Sequence, residues 1–429
     1  MATAEAVQVP WYKEPTREQW YAWWAAWLGW TLDAFDFTVF LLLMKPIADY
    51  FGVPLTEVAF VLTVTLWLRL VGAVASGWLA DRVGRKIPLM ISILWYSIAN
   101  FIAGFSPSFM FLFIFRALLG IGMGAEWPAG AALAMEQWPQ RSRGFMSGVL
   151  QGSWGIGFAL SSLAYGLLYT PFERLGPGYG WRGMLLLGVL PALSVFYVRK
   201  FVTEPEMWVE NRRRQREENR EVHAPLLSIF KREMLTNTLL ACWWMASNFV
   251  LYYSLTALFA THLQKDLGMS PALLAVPILL FNLVGFVAMS FWGWWGDRFG
   301  RRWAMIIPAA LAVPIAPIYL LSSDFTLITI GYVLQGAFGG ALYSQLPSYL
   351  SERFPTEIRA TAAGFCYHQG AIWGGFVPVV LAFCAEHFGV GLVLPMLIGT
   401  VVAAASVVVA LLLSPETKGK ELVADLVVA

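Results

Sequence analysis

Asp33, Asp36, Arg69, Arg116, Glu126 and His368 stand inside long apolar stretches of this 429-residue chain. Such positions are informative. A charged side chain at the centre of a bilayer costs ~2.5–3.5 kcal/mol on insertion scales, so it persists where it faces a cavity or a partner. Asp33 and Asp36 are three residues apart, which places them on one helix face. An arginine fork can hold a carboxylate through two parallel hydrogen bonds. Arg69 is therefore the first candidate for binding an anionic substrate, and Arg116 the second. Proton coupling needs a carboxylate that alternates between its charged and protonated forms. The like-charge pair Asp33 and Asp36 and the single Glu126 are the candidates, and protonating one of them would free Arg69 for the substrate. Each residue also has a structural alternative. Arg69 with Asp36 could lock two helices as an ion pair. Arg116 could tie helices or relay protons, and Asp33 could bond to nearby hydroxyls. Glu126 precedes Trp127-Pro128, where the proline frees a backbone carbonyl and kinks the helix.

The second half of the chain offers neutral polar groups instead. Asn248, Tyr252 and Thr256 follow i, i+4, i+8 spacing and share a helix face. Tyr343, His368 and Gln369 stand in later apolar runs, as do Asn282, Gln335 and Gln345. These groups suit the remainder of a substrate, with Asn248, Tyr252, Thr256, Tyr343, His368 and Gln369 as candidates. His368 titrates near neutral pH, although a lone membrane histidine also serves to join helices. No nucleophile with its base, metal-ligand set or nucleotide loop appears, so the chain reads as neither an enzyme nor an ATP-driven pump. No cofactor is expected. A proton gradient would supply the energy.

The elements that position these residues follow from composition. The chain is 58% hydrophobic, 15% aromatic and 13% charged, against about 25% charged for a soluble domain. Lipid must be the solvent for most of it. Twelve apolar runs are long enough to be spans. They lie near 21–44, 58–80, 88–105, 109–136, 144–168, 183–199, 235–260, 273–296, 303–322, 325–351, 360–385 and 390–413. With the N-terminus inside, inner segments carry 23 of the 29 Lys and Arg and outer segments carry four. That bias predicts cytoplasmic N- and C-termini in the inner membrane. In this arrangement Asp33, Arg69 and Glu126 reach mid-depth, at ~15–18 Å from a span end, and Arg116 lies ~11 Å from the outside. The polar stretch 200–234 divides the spans six and six and reads as a solvated linker. The units are 1–199, 200–234, 235–413 and a tail at 414–429. The 21 tryptophans fit bilayer edges in part, with Trp20, Trp23, Trp24, Trp27 and Trp30 crowding the first span. Cys242, Cys366 and Cys384 are scattered in apolar runs and form no disulfide framework. Basic residues cluster in short loops and along no single face, so nucleic acid is not an expected partner.

The halves repeat. Gly77-Trp-Leu-Ala-Asp81-Arg82-Val-Gly84-Arg85-Lys86 matches Gly293-Trp-Trp-Gly-Asp297-Arg298-Phe-Gly300-Arg301-Arg302 at an offset of 216. The same offset carries Gly120 onto Gly336, Glu136 onto Glu352 and Arg143 onto Arg359. An even-numbered six-helix unit repeats in parallel, about an axis along the membrane normal. The Asp-Arg loops present Asp81, Arg82, Arg85, Asp297, Arg298 and Arg301 at the inner mouth, where they would act as a gate.

This loop resembles the signature of the major facilitator superfamily, as does Arg116-Ala-Leu-Leu-Gly120-Ile-Gly122. Pro415-Glu416-Thr417-Lys418-Gly419 is similar to that family's sugar-porter ending. The resemblance implies twelve transmembrane helices in two pseudo-symmetric bundles, a central site and alternating access. Pro10-Trp11-Tyr12 and Leu32-Asp33-Ala34-Phe35-Asp36-Phe37 resemble bacterial sialic acid permeases. Asp33-Ala34-Phe35-Asp36-Phe37 with Leu68-Arg69-Leu70 also resembles Jen-type lactate and pyruvate permeases. The chain departs from both. It lacks the lactate branch's His and Gln-Asp pair in span seven and the sialic acid branch's extra middle spans. The resulting expectation is a monomeric symporter of protons and a small carboxylate. Lactate or pyruvate ranks first, sialic acid second, and an aromatic or dicarboxylic acid third. A same-fold exporter is the alternative.

Overall fold

The computed structural model describes residues 10–218 and 225–422, and every regular element among them is helical. Caps written in the sequence set several helix starts. The first span, Arg17–Phe51, opens on Thr16, whose hydroxyl accepts from the Gln19 backbone while the Gln19 side chain accepts from the Thr16 N–H. This reciprocal pair satisfies two otherwise orphaned donors. The helix ends at Gly52, whose φ of 66° is the left-handed conformation glycine adopts freely. Ser108 opens the fourth span, Phe109–Glu136, and Asp324 opens the tenth, each accepting a backbone N–H three residues on. Spans two, three, eight and nine are Leu55–Val83, Lys86–Ala103, Pro271–Phe299 and Trp303–Leu320. Spans five, eleven and twelve are Arg143–Glu173, Arg359–His387 and Val393–Leu413.

Three runs expected as continuous helices are broken. The sixth passes from Tyr179–Leu186 through a 3-10 segment, Leu187–Leu193, to Ser194–Phe201, and Pro191 in that segment has no N–H to donate. The seventh, Arg232–Thr256, restarts as Phe259–Lys265. The tenth runs Phe325–Ala337, then Gly339–Tyr343 as 3-10, then Leu346–Arg353. Irregular backbone at membrane depth is tolerated where protein or a cavity surrounds it. Here Gly340 and Tyr343 line the central cavity.

Among the described residues ten helices are long and apolar enough to cross a membrane, and spans five and seven are not among them. The bundles meet along two related seams, span two on span eleven and span five on span eight. Small residues allow the approach. A Cβ on Gly77 would lie 2.8 Å from the Thr361 Cα, and one on Gly293 would lie 3.1 Å from the Phe145 Cα. Subtracting the repeat offset from 361 gives 145, so the seams are copies of each other.

Two expectations change. The 200–234 stretch is not merely solvated. Its helix Glu206–Glu217 buries Asn211 and Gln215, and Trp208 donates to the Asp81 carbonyl at 3.2 Å. Residues 219–224 of that stretch, like 1–9 and 423–429, lie outside the described residues. The first-span tryptophans also divide. Trp24 is exposed, as a bilayer edge requires, but Trp23 is buried against Trp138 and Trp30 against Trp154.

Candidate functional site: a central cavity and its gate

Arg69 reaches the interface between the bundles from the middle of span two. It is 1% exposed, and its Nη2 donates to Asp33 Oδ2 at 2.7 Å. Three rings surround the guanidinium, with centroids 5.4 Å (Phe37), 5.5 Å (Trp154) and 5.9 Å (Trp30) away. The aromatic faces and one carboxylate together hold the cation in a fixed orientation. Its partner is thus Asp33, not Asp36.

The cavity beside Arg69 is lined from both bundles. Gln151 and Trp154 come from span five. Phe249, Tyr252 and Tyr253 come from span seven, with Phe281, Asn282 and Met289 from span eight, Tyr343 from span ten and Tyr367 from span eleven. Among the described lining residues Arg69 is the one cation, and no carboxylate faces the space. Aromatic contacts join the two bundles at and beside it. Trp154 Nε1 donates to the Tyr252 hydroxyl at 3.2 Å. Trp127 stacks on Tyr367 at 4.4 Å between centroids and 10° between planes. The space open to water centres is about 30 Å³, room for roughly two waters at ~10–15 Å³ each. A ligand of several carbons enters only if these rings part. This is a closed state of the site.

The structure separates the remaining sequence candidates. Tyr252 and Tyr343 line the cavity with Arg69. Arg116 does not. It is fully buried within the first bundle, donating to Asn100 Oδ1 at 3.2 Å and the Asp36 carbonyl at 3.4 Å, with its guanidinium 4.3 Å from the Phe40 ring centroid. Thr256 donates back to the Tyr252 carbonyl, as hydroxyls in helices often do. Gln369 ties span eleven to span seven through the Cys242 carbonyl. His368 bonds through Nδ1 with the Gly364 carbonyl and turns Nε2 inward without a partner. Asn248 is buried with neither amide atom bonded. Asp36 and Glu126 are buried with both carboxylate oxygens unpaired.

The face that carries the Asp-Arg loops, the candidate gate, holds a repeated charge network. Asp81 Oδ2 accepts from the Thr361 N–H at 3.0 Å and its hydroxyl at 2.7 Å. Asp297 accepts from the Gly144 and Phe145 N–H groups at 3.0 and 2.8 Å. Both contacts cross between the bundles and place a carboxylate at a helix N-terminus, where the free N–H groups and the dipole favour it. Behind them Arg85 pairs with Glu136 at 2.8 Å and Arg301 with Glu352 at 3.0 Å. Glu136 and Glu352 also face the opposite bundle, meeting Arg359 at 3.2 Å and Arg143 at 3.7 Å. Arg82 and Arg298 each lie over a tryptophan one turn earlier, Trp78 and Trp294. Sequence reading did not assign Glu136, Glu352, Arg143 or Arg359 to the gate. The signal was present, since the repeat offset pairs them two by two. Tyr367 stood in sequence beside His368 and Gln369 among the polar groups of span eleven, but Trp154 and Phe249 gave no such signal, because nothing distinguishes a cavity-lining aromatic from a core one in sequence.

A two-bundle helical membrane protein with a closed central cavity and a repeated charge lock is a carrier rather than an enzyme. The Major Facilitator Superfamily model matches residues 26–259 and 245–425, and the chain belongs to that family. It is 32% identical over 418 residues to a probable 4-methylmuconolactone transporter of Cupriavidus pinatubonensis, covering 95% of this chain and 93% of the relative. It is 25% identical to the sialic acid transporter NanX of Escherichia coli, covering 91% and 92%. The fold matches the solved structure of the proton:xylose symporter XylE with a TM-score of 0.72, covering 94% of this chain and 98% of XylE at 17% identity.

Proposed function

We propose that the protein imports a small, planar, unsaturated or aromatic carboxylate together with a proton. The observation that carries this reading is Arg69, a buried cation held by Asp33 at the wall of a cavity otherwise built of rings. The substrate carboxylate takes the Arg69 fork, and its flat body lies between Trp154, Tyr252, Tyr343 and Tyr367. Asp33 competes with the substrate for Arg69. Its protonation releases the guanidinium, so substrate and proton bind together and leave together. Asp36 and Glu126, with unpaired oxygens, are further proton carriers.

This order of substrates differs from the sequence expectation. A three-carbon acid such as lactate would leave the aromatic walls without contact. Sialic acid carries many hydroxyls, and the walls offer few polar groups beyond the amides of Gln151 and Asn282 and four tyrosine hydroxyls. Burying hydroxyls without partners costs about 1–3 kcal/mol each. 4-Methylmuconolactone, the compound named for the relative at 32% identity, is a small unsaturated ring acid of the size the rings suit. The Asp-Arg loops form the cytoplasmic gate under the 23-to-4 charge bias, with both termini inside the cell. One chain supplies every wall of the cavity, so a monomer suffices.

The test is uptake into proteoliposomes driven by an inward proton gradient. Labelled 4-methylmuconolactone, cis,cis-muconate, benzoate, sialic acid and lactate are compared side by side. Unsaturated acids should accumulate at least tenfold faster than the other two. Faster sialic acid uptake would overturn the substrate order, and no accumulation of any acid would overturn symport. Net outward movement of a preloaded acid under the same inward gradient would favour proton-coupled export.

A further inference from the structure

Resting on the proton-coupled reading above, we infer that Tyr96 is the relay residue that joins two buried charge sites in the first bundle. The lower site is Asp33 with Arg69 and the nearby Glu126. The upper site is Asp36 with Asn100 and Arg116. These sites belong to helices one to four and are separate in the structure, since Arg69 pairs with Asp33 while Arg116 bonds to Asn100 and the Asp36 backbone.

Tyr96 stands at the level between them. Span three runs away from the gate face, and Asn100 is one turn beyond Tyr96, ~6 Å along the axis at 1.5 Å per residue. Span four runs the opposite way. Its Gly122 packs on Tyr96, a Cβ there falling 2.9 Å from the Tyr96 backbone nitrogen. Glu126 follows Gly122 by one turn toward the gate, and Arg116 precedes it by about two turns away from it. Tyr96 thus has the upper site one turn above and Glu126 one turn below. Asp33, Glu126 and Asp36 all act electrostatically on it.

Its chemistry fits the place. Tyr96 is fully buried and its hydroxyl has no partner, whereas most buried polar groups in proteins are bonded. The same holds for Asp33 Oδ1, both oxygens of Asp36 and Glu126, Asn100 Nδ2, and Arg116 Nε and Nη2. Together these atoms form a column of unpartnered polar groups through the first bundle. Glycines leave room for it. A Cβ on Gly29 would lie 2.6 Å from Glu126 Oε1, and one on Gly188 would lie 2.9 Å from Asp36 Oδ1 and clash with Asn100. A phenol both donates and accepts. A proton passes from protonated Asp36 to the Tyr96 oxygen as the Tyr96 hydroxyl proton passes to Asp33 or Glu126. One carboxylate loses a proton, another gains it, and Tyr96 ends unchanged. The substrate never needs to touch this path.

Tyr96→Phe keeps the ring and removes the hydroxyl. The full-length protein is compared in proteoliposomes with the best-transported acid of the panel above. Substrate exchange at equal pH on both sides needs no net proton movement, whereas gradient-driven accumulation does. The variant should keep exchange within about twofold of wild type and lose accumulation by tenfold or more. Where wild-type exchange varies with pH, the variant's exchange should vary less. Accumulation at the wild-type level in Tyr96→Phe overturns the relay alone. Exchange and accumulation falling together mark Tyr96 as structural and also overturn it. If the wild type itself never concentrates the acid, the coupling reading fails and the relay with it.

Discussion

The two bundles share one gate and divide one cavity. On the gate face Asp81 and Asp297, Arg85 and Arg301, Glu136 and Glu352, and Arg359 and Arg143 hold equivalent contacts across the repeat. At the cavity the symmetry is gone. The first bundle brings Arg69, held from behind by Asp33, together with Gln151 and Trp154, while the second brings tyrosines, phenylalanines and the Asn282 amide. The difference follows from what each region must do. A gate that closes two equivalent halves works best with matched surfaces. A site for an asymmetric ligand needs one end charged and the other apolar.

Breaking the cavity's charged side should have the largest effect. Arg69→Ala removes the cation and leaves Asp33 buried without its partner. Uptake should fall about 100-fold or more, since charge-assisted hydrogen bonds contribute ~1.5–3 kcal/mol each and two are lost. Arg69→Lys should recover little, because an ammonium lacks the planar fork. Initial rates of uptake check both, with size-exclusion profiles confirming that the variants fold.

The gate comparison sharpens next. Glu136→Gln removes the negative charge that Arg85 and Arg359 share, and Glu352→Gln the one that Arg301 and Arg143 share, although Arg85 keeps Asp81 at 3.2 Å and Arg301 keeps Asp297 at 2.6 Å. Removing one member of a buried pair costs ~3–5 kcal/mol. Both variants should lower the thermal midpoint and raise cysteine labelling from the gate face. Glu136→Gln should do so more, because Arg359 at 3.2 Å is nearer than Arg143 at 3.7 Å. Equal insensitivity of both would show that the network does not hold the closed state.

On the aromatic side, Trp154→Phe keeps a ring and deletes the bond to the Tyr252 hydroxyl. A lost neutral hydrogen bond is about 1 kcal/mol. KM should rise by roughly fivefold with little change in maximal rate, as read from concentration dependence.

The smallest effect belongs to the linker helix. Arg213 and Arg214 bond to Glu210 and hold its carboxyl at about 2, below the usual range for glutamate. A lowered carboxylate contributes stability above its unfolded value, and that contribution fades as pH falls through the folded one. Across pH 5 to 8 the contribution is therefore constant, and these side chains are about half exposed and screened by solvent. Glu210→Gln should leave uptake and the thermal midpoint unchanged throughout that range. A loss of uptake would assign the linker a role in the cycle.

Much of this was legible in the amino-acid sequence. Span number, the parallel repeat and the gate loops follow from hydropathy and from one offset held without a gap. The importance of Arg69, Asp33, Asp36 and Glu126 follows from the cost of charge in lipid, which makes each exception conspicuous. Substrate ranking did not follow, because it depends on which rings face the cavity. Trp154 and Phe249 sit in apolar helices whose every face reads alike. The expected face of Asn248, Tyr252 and Thr256 shows this well. Their spacing is right, yet only Tyr252 reaches the lining, since Thr256 bonds to its own helix and Asn248 lies buried to one side.

By itself the sequence determined the solvent of this protein, its helices, its duplication and the few places where charge enters the membrane. All of these are local properties of composition and spacing. The tertiary structure decided partners: Asp33 rather than Asp36 for Arg69, Asn100 for Arg116, and Tyr96 among three carboxylates. Partner choice depends on helix rotation and crossing, which packing of many side chains sets at once, and no single residue's type encodes it.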